Sequence, residues 1–585
     1  MGMQSKKLFW VSLAAFVVLY LCYGLHRFTL GVDFTDEGAY LAWPLRTLFG
    51  ERPFSSELLT LLRPIEICLA LPFKLHPAMT LYEFRMAGWC MHLVAFAVLS
   101  VYLFRLGGGP LQSPLIASIP FFACNLFGIA TPSYNTVSSD FLLIALSLRG
   151  LSTLHGPGGK MPWEIGGGLA LFIATVAHPA LGLVASVLLA VECLRNGLVR
   201  NLVARRLTPS NAGLVVFVAC WLGLFFAAIW SGALADWLQR MALVRSFPAD
   251  APHDPLWHIF TRLLGYPFLF SPLAVVFSLV AIVAAAALHF FSATGRGERA
   301  GLAANLLAFL VVFSLIGTFS YGPHYLPVVF VLVCLILIGT LCLGRAACLS
   351  WVPGSSRFLL AMAGLSAVLY AGFTYYFTPY RSWQSGTLGL PFAFAVGLTL
   401  LLHTRPLRSG AYRLLLTVSL LIAVVCMVRD HYREIYRDAA TPELRTAFQQ
   451  PKLAHIKSTA ERVAAIDGLH AYLSPRLVRG EPLLAFDGCP MLYYLLDAKP
   501  AYGLTWAVRY SQSRAALEQL NRELLARPLP RYAIRNLVEL SQSAWATTER
   551  INYDDYPLNQ TLLTHYELER TIFPFEIWRL KATRP

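Results

Sequence analysis

Asp33, Asp36, Glu37 and Tyr40 crowd into one run, Val32-Asp33-Phe34-Thr35-Asp36-Glu37-Gly38-Ala39-Tyr40, just after the first hydrophobic segment, Leu8 to Leu25. Carboxylates at a membrane surface, partly stripped of water, hold protons more tightly and can take one from a hydroxyl. Asp36 is the expected base. Glu37 would orient it or bind an acceptor. Acids also favour the first turn of a helix, and one is expected to start near Gly38. Asp33 reads as a loop or cap residue.

Cations follow in positions suited to an oxyanion. Arg63 could bind phosphate oxygens through its two-pronged guanidinium, or snorkel from an interfacial helix. Arg85 and His178 are further candidates. Arg85 could instead pair with Glu83 or Glu66, and His178 could satisfy a carbonyl freed by Pro179. Asp140 is a second acidic candidate near a helix start. His324 and Tyr325 could contact a lipid phosphate or belong to an aromatic belt. His253, Asp254 and His258 have a spacing that could hold a metal, although solvation of a loop explains them too.

These residues need a membrane to sit against, and the composition supplies one. The chain has 585 residues, 57% hydrophobic and 14% charged. Ordinary soluble domains carry about 25% charged residues. Apolar runs close to the length needed to cross a hydrocarbon core recur through the first three quarters. About thirteen membrane helices are expected, near 8–25, 86–104, 112–130, 137–154, 164–177, 180–194, 212–231, 269–291, 301–319, 326–344, 357–377, 388–403 and 411–428. The first follows Lys6 and Lys7 and lacks a small-residue cleavage site after it, so it reads as a retained anchor.

Loop charge orients this array. With the N-terminus in the cytoplasm, the inside loops carry Arg105, Arg149, Lys160, Arg195, Arg200, Arg205, Arg206, Arg296, Arg299, Arg345, Arg405 and Arg408, as the positive-inside bias expects. Fusing 164–194 into one helix would put the four-arginine loop outside, so a hairpin at His178-Pro179 is preferred. The net charge of +15 is then mostly a topology signal, and no nucleic-acid partner is expected. The loops 26–84 and 232–268 and everything after about residue 430 fall outside. Leu58 to Phe73 is apolar but holds Arg63, Pro64 and Glu66, so it reads as interfacial helix rather than a span.

The chain therefore divides into a membrane domain, 1–429, and an external domain, 430–585. The second is expected to be a small α/β unit. Glu443 to Ala465 reads as an amphipathic helix, Pro482 to Phe486 as a short buried strand, and Met491 to Leu496 as a helix start. Its one cysteine, Cys489, excludes a disulfide within it. There is no CxxC pair, HExxH, Walker loop, GxGxxG or internal repeat.

The order of these features resembles the GT-C integral-membrane glycosyltransferases, in particular the aminoarabinose and protein O-mannosyltransferase types. There an acidic pair followed by an aromatic opens the first external loop, as in Asp36-Glu37-Gly38-Ala39-Tyr40. Interfacial helices with a basic residue before proline follow, as at Arg63-Pro64. An arginine then opens the second membrane helix, as in Glu83-Phe84-Arg85-Met86-Ala87. A second acid follows helix three, as at Asp140 in Tyr134-Asn135-Thr136-Val137-Ser138-Ser139-Asp140. The chain departs from the pattern in having arginine at position 63 and His178 where a lysine is common. The resemblance implies a polytopic α-helical protein with a periplasmic α/β domain, in a bacterial inner membrane. It implies an inverting transfer of sugar from a polyprenyl-phosphate donor, with undecaprenyl phosphate the carrier, to a lipopolysaccharide, other glycan or protein acceptor. Tyr40, Arg63, Arg85, Asp140, His178, His324 and Tyr325 would bind substrate. The resemblance fixes no cofactor, and it leaves room for a divalent metal. A transporter or flippase of lipid-linked substrates is the rival; transporters usually place their polar groups near the bilayer midplane and often show repeats.

Overall fold

The computed structural model describes residues 3–51, 65–123, 128–129, 131–155, 159–178, 181–182, 185–186, 209–235, 238, 390–401, 410–433, 435–507 and 514–582. Arg63, Pro64, Pro179, His253, Asp254, His258, His324 and Tyr325 lie outside the described residues, as do the expected spans between 269 and 377.

The described chain is rich in helix. In chain order the helices are α1 (Met3–Arg27), α2 (Asp36–Leu48), α3 (Ile65–Leu75), α4 (Leu81–Arg105), α5 (Gln112–Ala123), α6 (Tyr134–Leu154), α7 (Met161–Ala177), α8 (Pro209–Trp230), α9 (Leu390–Leu401) and α10 (Gly410–Arg433). Four are long and apolar enough to cross a membrane: Met3–Arg27, Leu81–Arg105, Tyr134–Leu154 and Asn211–Trp230. The starts of α4 and α6 are chemically marked. Thr80 accepts from the Glu83 amide while the Glu83 carboxylate accepts from Thr80, and Ser133 and Thr136 reciprocate in the same way at α6. Glu83 is thereby a cap rather than a partner for Arg85. The expected helix 112–130 is described as α5 as far as Ala123, and Gly128 has a left-handed φ of 66°, which a helix cannot pass through. At the other expected break, α7 ends at Ala177 and His178 is extended, as the residue before a proline must be.

After α10 the chain builds β1 (Thr446–Ala447), β2 (Lys457–Ser458), α11 (Ala460–Leu473), β3 (Pro482–Phe486), α12 (Met491–Leu495), β4 (Lys499–Pro500), α13 (Arg514–Leu525), β5 (Tyr532–Asn536), α14 (Pro557–His565), β6 (Tyr566–Ile572) and β7 (Phe575–Leu580). The amphipathic helix expected over 443–465 does not form. Two short 3-10 turns and the β1–β2 pair occupy most of it, because Pro442 and Pro451 cannot donate to a helical ladder. The helix begins only at Ala460, where the Thr459 hydroxyl caps it.

One five-stranded sheet, in the order β4-β3-β5-β7-β6, organises this region. β4, β3 and β5 are parallel, and β7 and β6 are antiparallel additions. Alternation along β3 serves two cores at once. Leu484 and Phe486 face α13 and α14. Leu483 and Ala485 face a second core that includes Val32, Phe34, Leu41 and Leu45 of the first loop together with Ile456, Val463 and Leu492. The C-terminal sheet and the acidic loop therefore share a single hydrophobic core.

Candidate active site

The loop leaving α1 becomes, in effect, an extra strand of the C-terminal region. Leu30 pairs in parallel with Lys457: the Gly31 amide donates to the Lys457 carbonyl at 2.7 Å, and the Lys457 amide donates to the Thr29 carbonyl at 2.7 Å. Two buried charges then clamp Val32. Asp438 accepts from the Val32 amide at 2.8 Å and from the Ser458 hydroxyl at 2.8 Å. Arg462 donates to the Val32 carbonyl at 3.1 Å and lies 3.5 Å from Asp438. Its guanidinium stands over the Trp545 ring, 4.6 Å from the centroid. Burial weakens the hold of Arg462 on its proton, and the Asp438 charge restores part of it.

This anchoring delivers three carboxylates to three different environments. Asp33 caps α2: it accepts from the Thr35 amide at 2.9 Å, the Thr35 hydroxyl at 2.6 Å and the Glu37 amide at 3.1 Å. Glu37 turns into the protein and meets Arg85, whose Nε donates to Oε1 at 2.7 Å and whose Nη2 donates to Oε2 at 2.6 Å. The Thr131 hydroxyl also donates to Glu37. Arg85 spends its other donors on the carbonyls of Phe28 and Gly31, 3.0 and 2.9 Å away. Both residues are buried. Asp36, one position earlier, points the other way. Tyr436 donates to it at 2.9 Å, and Arg437 Nη1 lies 3.1 Å away. Its side chain is 15% exposed, against 3% for Asp33 and 1% for Glu37. Burial first, and the Asp36 charge second, push the Tyr436 phenol well above its ordinary range, so it remains a donor at any ordinary pH.

Aromatic residues continue the site beyond the acids. The Tyr40 ring packs edge-on to Tyr134 at 5.9 Å and beside Trp43 at 6.0 Å. His178 stands 5.4 Å from the Tyr134 ring, and Trp506 joins the same group from the C-terminal region. Tyr40 and Trp43 are buried in this group, while Tyr134 and Trp506 are only partly so.

The structure thus brings Asp36, Glu37, Tyr40, Arg85 and His178 to one region, but with unequal roles. Arg85 is committed to Glu37, not to Glu83. Asp140 sits deeper, fully buried in α6, where it pairs with His92 of α4. Tyr436, Arg437, Asp438, Arg462, Thr131 and His92 were not among the sequence candidates. For Tyr436, Arg437 and Asp438 the charged run from Arg429 to Asp438, at the end of the last expected span, was the visible signal; Thr131, His92 and Arg462 had none. Among the described residues no group of three or more His, Cys, Asp or Glu side chains could hold a metal ion.

No family model matches the chain, and no curated protein matches it in sequence. Among solved structures it is similar to the crystal structure of ArnT from Cupriavidus metallidurans bound to undecaprenyl phosphate. That likeness covers 97% of this chain and 97% of the other, at 12% sequence identity and a TM-score of 0.41.

Proposed function

We propose that this protein is an integral-membrane glycosyltransferase that moves a sugar from a polyprenyl-phosphate carrier to an acceptor hydroxyl at the outer surface of a bacterial inner membrane. The carrying observation is the separation of the acidic pair. Glu37 is buried and locked into Arg85, while its neighbour Asp36 is 15% exposed and meets Tyr436 and Arg437 instead. In the reaction the acceptor oxygen forms a bond to the anomeric carbon as the bond from that carbon to the phosphate oxygen breaks. The acceptor proton passes to Asp36 and later to water. The phosphate leaves with the bonding electrons on its polyprenyl chain, and the configuration inverts. Glu37 acts on this step through position only, by fixing the first turn of α2. The acceptor, whether glycan, lipid or protein, is set by what reaches Asp36.

The test is transfer of labelled sugar from synthetic polyprenyl-phosphate sugars by the purified full-length protein in lipid nanodiscs. Asp36→Asn should lower turnover by roughly 10²-fold or more with the protein still folded. Near-normal transfer by this variant would remove Asp36 as the base.

A transporter of lipid-linked substrates is the second reading, and the His92–Asp140 pair inside the helix bundle favours it, since ionisable pairs at such depth often mark transport paths. The two separate in wild type: vesicle uptake of a lipid-linked substrate without sugar transfer, with the uptake lost in Asp140→Asn, would favour transport.

A further inference from the structure

We infer that Arg27, at the C-terminal end of α1, receives the phosphate of the polyprenyl carrier. The inference deepens the reading above and rests on it. Arg27 is 3% exposed, and a charge buried at the end of a membrane span is costly unless a counter-charge meets it. The buried arginines around the acidic loop have one. Arg85 pairs with Glu37, Arg462 with Asp438 and Arg46 with Glu51. Arg27 forms an ion pair with no carboxylate among the described residues. Its Nε donates to the His431 carbonyl at 2.8 Å, and the Tyr23 hydroxyl, itself 2.6 Å from His431 Nδ1, bonds to it too. The Phe28 ring centroid lies 5.9 Å from its guanidinium carbon. None of these partners carries a charge. The field of Glu37 reaches Arg27, but that of Arg85 opposes it, and the Glu37 oxygens are already taken by Arg85 and Thr131. Two cations against one anion leave a buried positive charge, which a phosphate would neutralise.

The surroundings are shaped around this guanidinium. Gly128 closes over it with φ of 66°, and a Cβ there would stand 3.2 Å from Arg27 Nη2 and 2.9 Å from His431 Nε2. Glycine alone takes this backbone conformation readily and leaves that space open. On the exposed side of the same seam between α1 and α10, His26 Nε2 and the Tyr432 hydroxyl bond at 3.0 Å. Back along the two helices, Leu25 of α1 and Val425 of α10 are exposed and apolar, so a prenyl chain has helix surface to lie against. A guanidinium has five N–H donors in one plane, and a phosphate can take two of them side by side. The site is also tied to the acids. Phe28, the next residue, accepts from Arg85 at 3.0 Å, and Arg85 holds Glu37, the neighbour of Asp36. Phosphate and base are thereby positioned by one frame. No covalent bond changes when the phosphate binds.

The experiment measures binding of polyprenyl phosphate, unphosphorylated polyprenol and inorganic phosphate to the full-length protein in nanodiscs, and the melting midpoint with and without each. Wild type should prefer the phosphorylated lipid and melt higher with it. Arg27→Gln should lose about 10- to 100-fold of that affinity. Without lipid it should melt no lower than wild type, because it removes a buried charge that lacks a counter-ion. Arg27→Lys keeps the charge without the fork and should bind the lipid with intermediate affinity. A lower lipid-free midpoint for Arg27→Gln would make Arg27 a structural residue and overturn the inference. Equal lipid affinity in wild type, Lys and Gln would overturn it too and leave the glycosyltransferase reading standing. A wild type that does not distinguish polyprenyl phosphate from polyprenol would overturn both. Inorganic phosphate that raises the midpoint as far as the lipid does at equal concentration would reassign Arg27 to a free anion and overturn the inference as well.

Discussion

Arg85 grips Glu37 with two nitrogens at once, at 2.7 and 2.6 Å, and neither side chain reaches solvent to any extent. Removing one partner of a buried pair strands the other charge, a loss of about 3–5 kcal/mol. Arg85→Ala and Glu37→Ala should therefore each lower the unfolding midpoint of the purified protein sharply. The double variant should lose less than the sum of the two. Additive losses would show that the pair is not coupled.

The cap made by Asp33 should be worth less. Asp33→Ala removes acceptors for the Thr35 and Glu37 amides and should cost about 1 kcal/mol. Asp33→Asn keeps one acceptor oxygen and should recover part of that. Both should reduce sugar transfer less than Asp36→Asn does. An equal reduction would make Asp33 a base in its own right.

Tyr436 sets the pH response of the site. Its phenol is held protonated by burial and by the Asp36 charge, so its folded-state proton affinity exceeds that of the unfolded chain. The stability it contributes is complete below about pH 10 and fades as pH rises beyond that. Tyr436→Phe deletes a donor to the Asp36 carboxylate, which then takes up a proton more readily. The acid limb of the rate profile should move to higher pH. A move to lower pH, or none, would place the reacting base elsewhere.

Gly38 reports on the fit between α2 and the C-terminal region. A Cβ at this position would lie 2.4 Å from the Met491 backbone nitrogen, which itself donates to the Phe34 carbonyl at 3.2 Å. Backbone cannot step aside as a side chain can. Gly38→Ala should cost about 1–3 kcal/mol and weaken transfer, because it pushes the helix carrying Asp36 off its seat. A wild-type melting curve for this variant would mean the contact is loose.

What could be read in the sequence follows from what is local. Long apolar runs announced the helices at Met3–Arg27, Leu81–Arg105 and Tyr134–Leu154, and a β-rich run announced Pro482–Phe486, because hydropathy and period are written in neighbouring residues. The cluster of Asp33, Asp36 and Glu37 was equally plain. Their division of labour was not. It depends on Arg85, Thr131, Tyr436 and Arg437, which lie between 48 and 402 positions from the acids or their cap. The failed helix over 443–465 has a different cause: its apolar spacing suited a helix, but Pro451 and the pairing of Lys457 with Leu30 decided otherwise.

That pairing has a bearing on how the protein is made. Asp438 clamps Val32 across 406 residues. At a synthesis rate of about 5–20 residues per second, the acidic loop waits roughly 20–80 s on the ribosome and in the translocation machinery before its clamp exists. Through that interval the nascent chain carries its reactive acids unassembled, and the site closes only as the last quarter emerges. A chain that ends before Asp438 therefore lacks the clamp on Val32, and the acidic loop takes its place only after the end of α10 has been made.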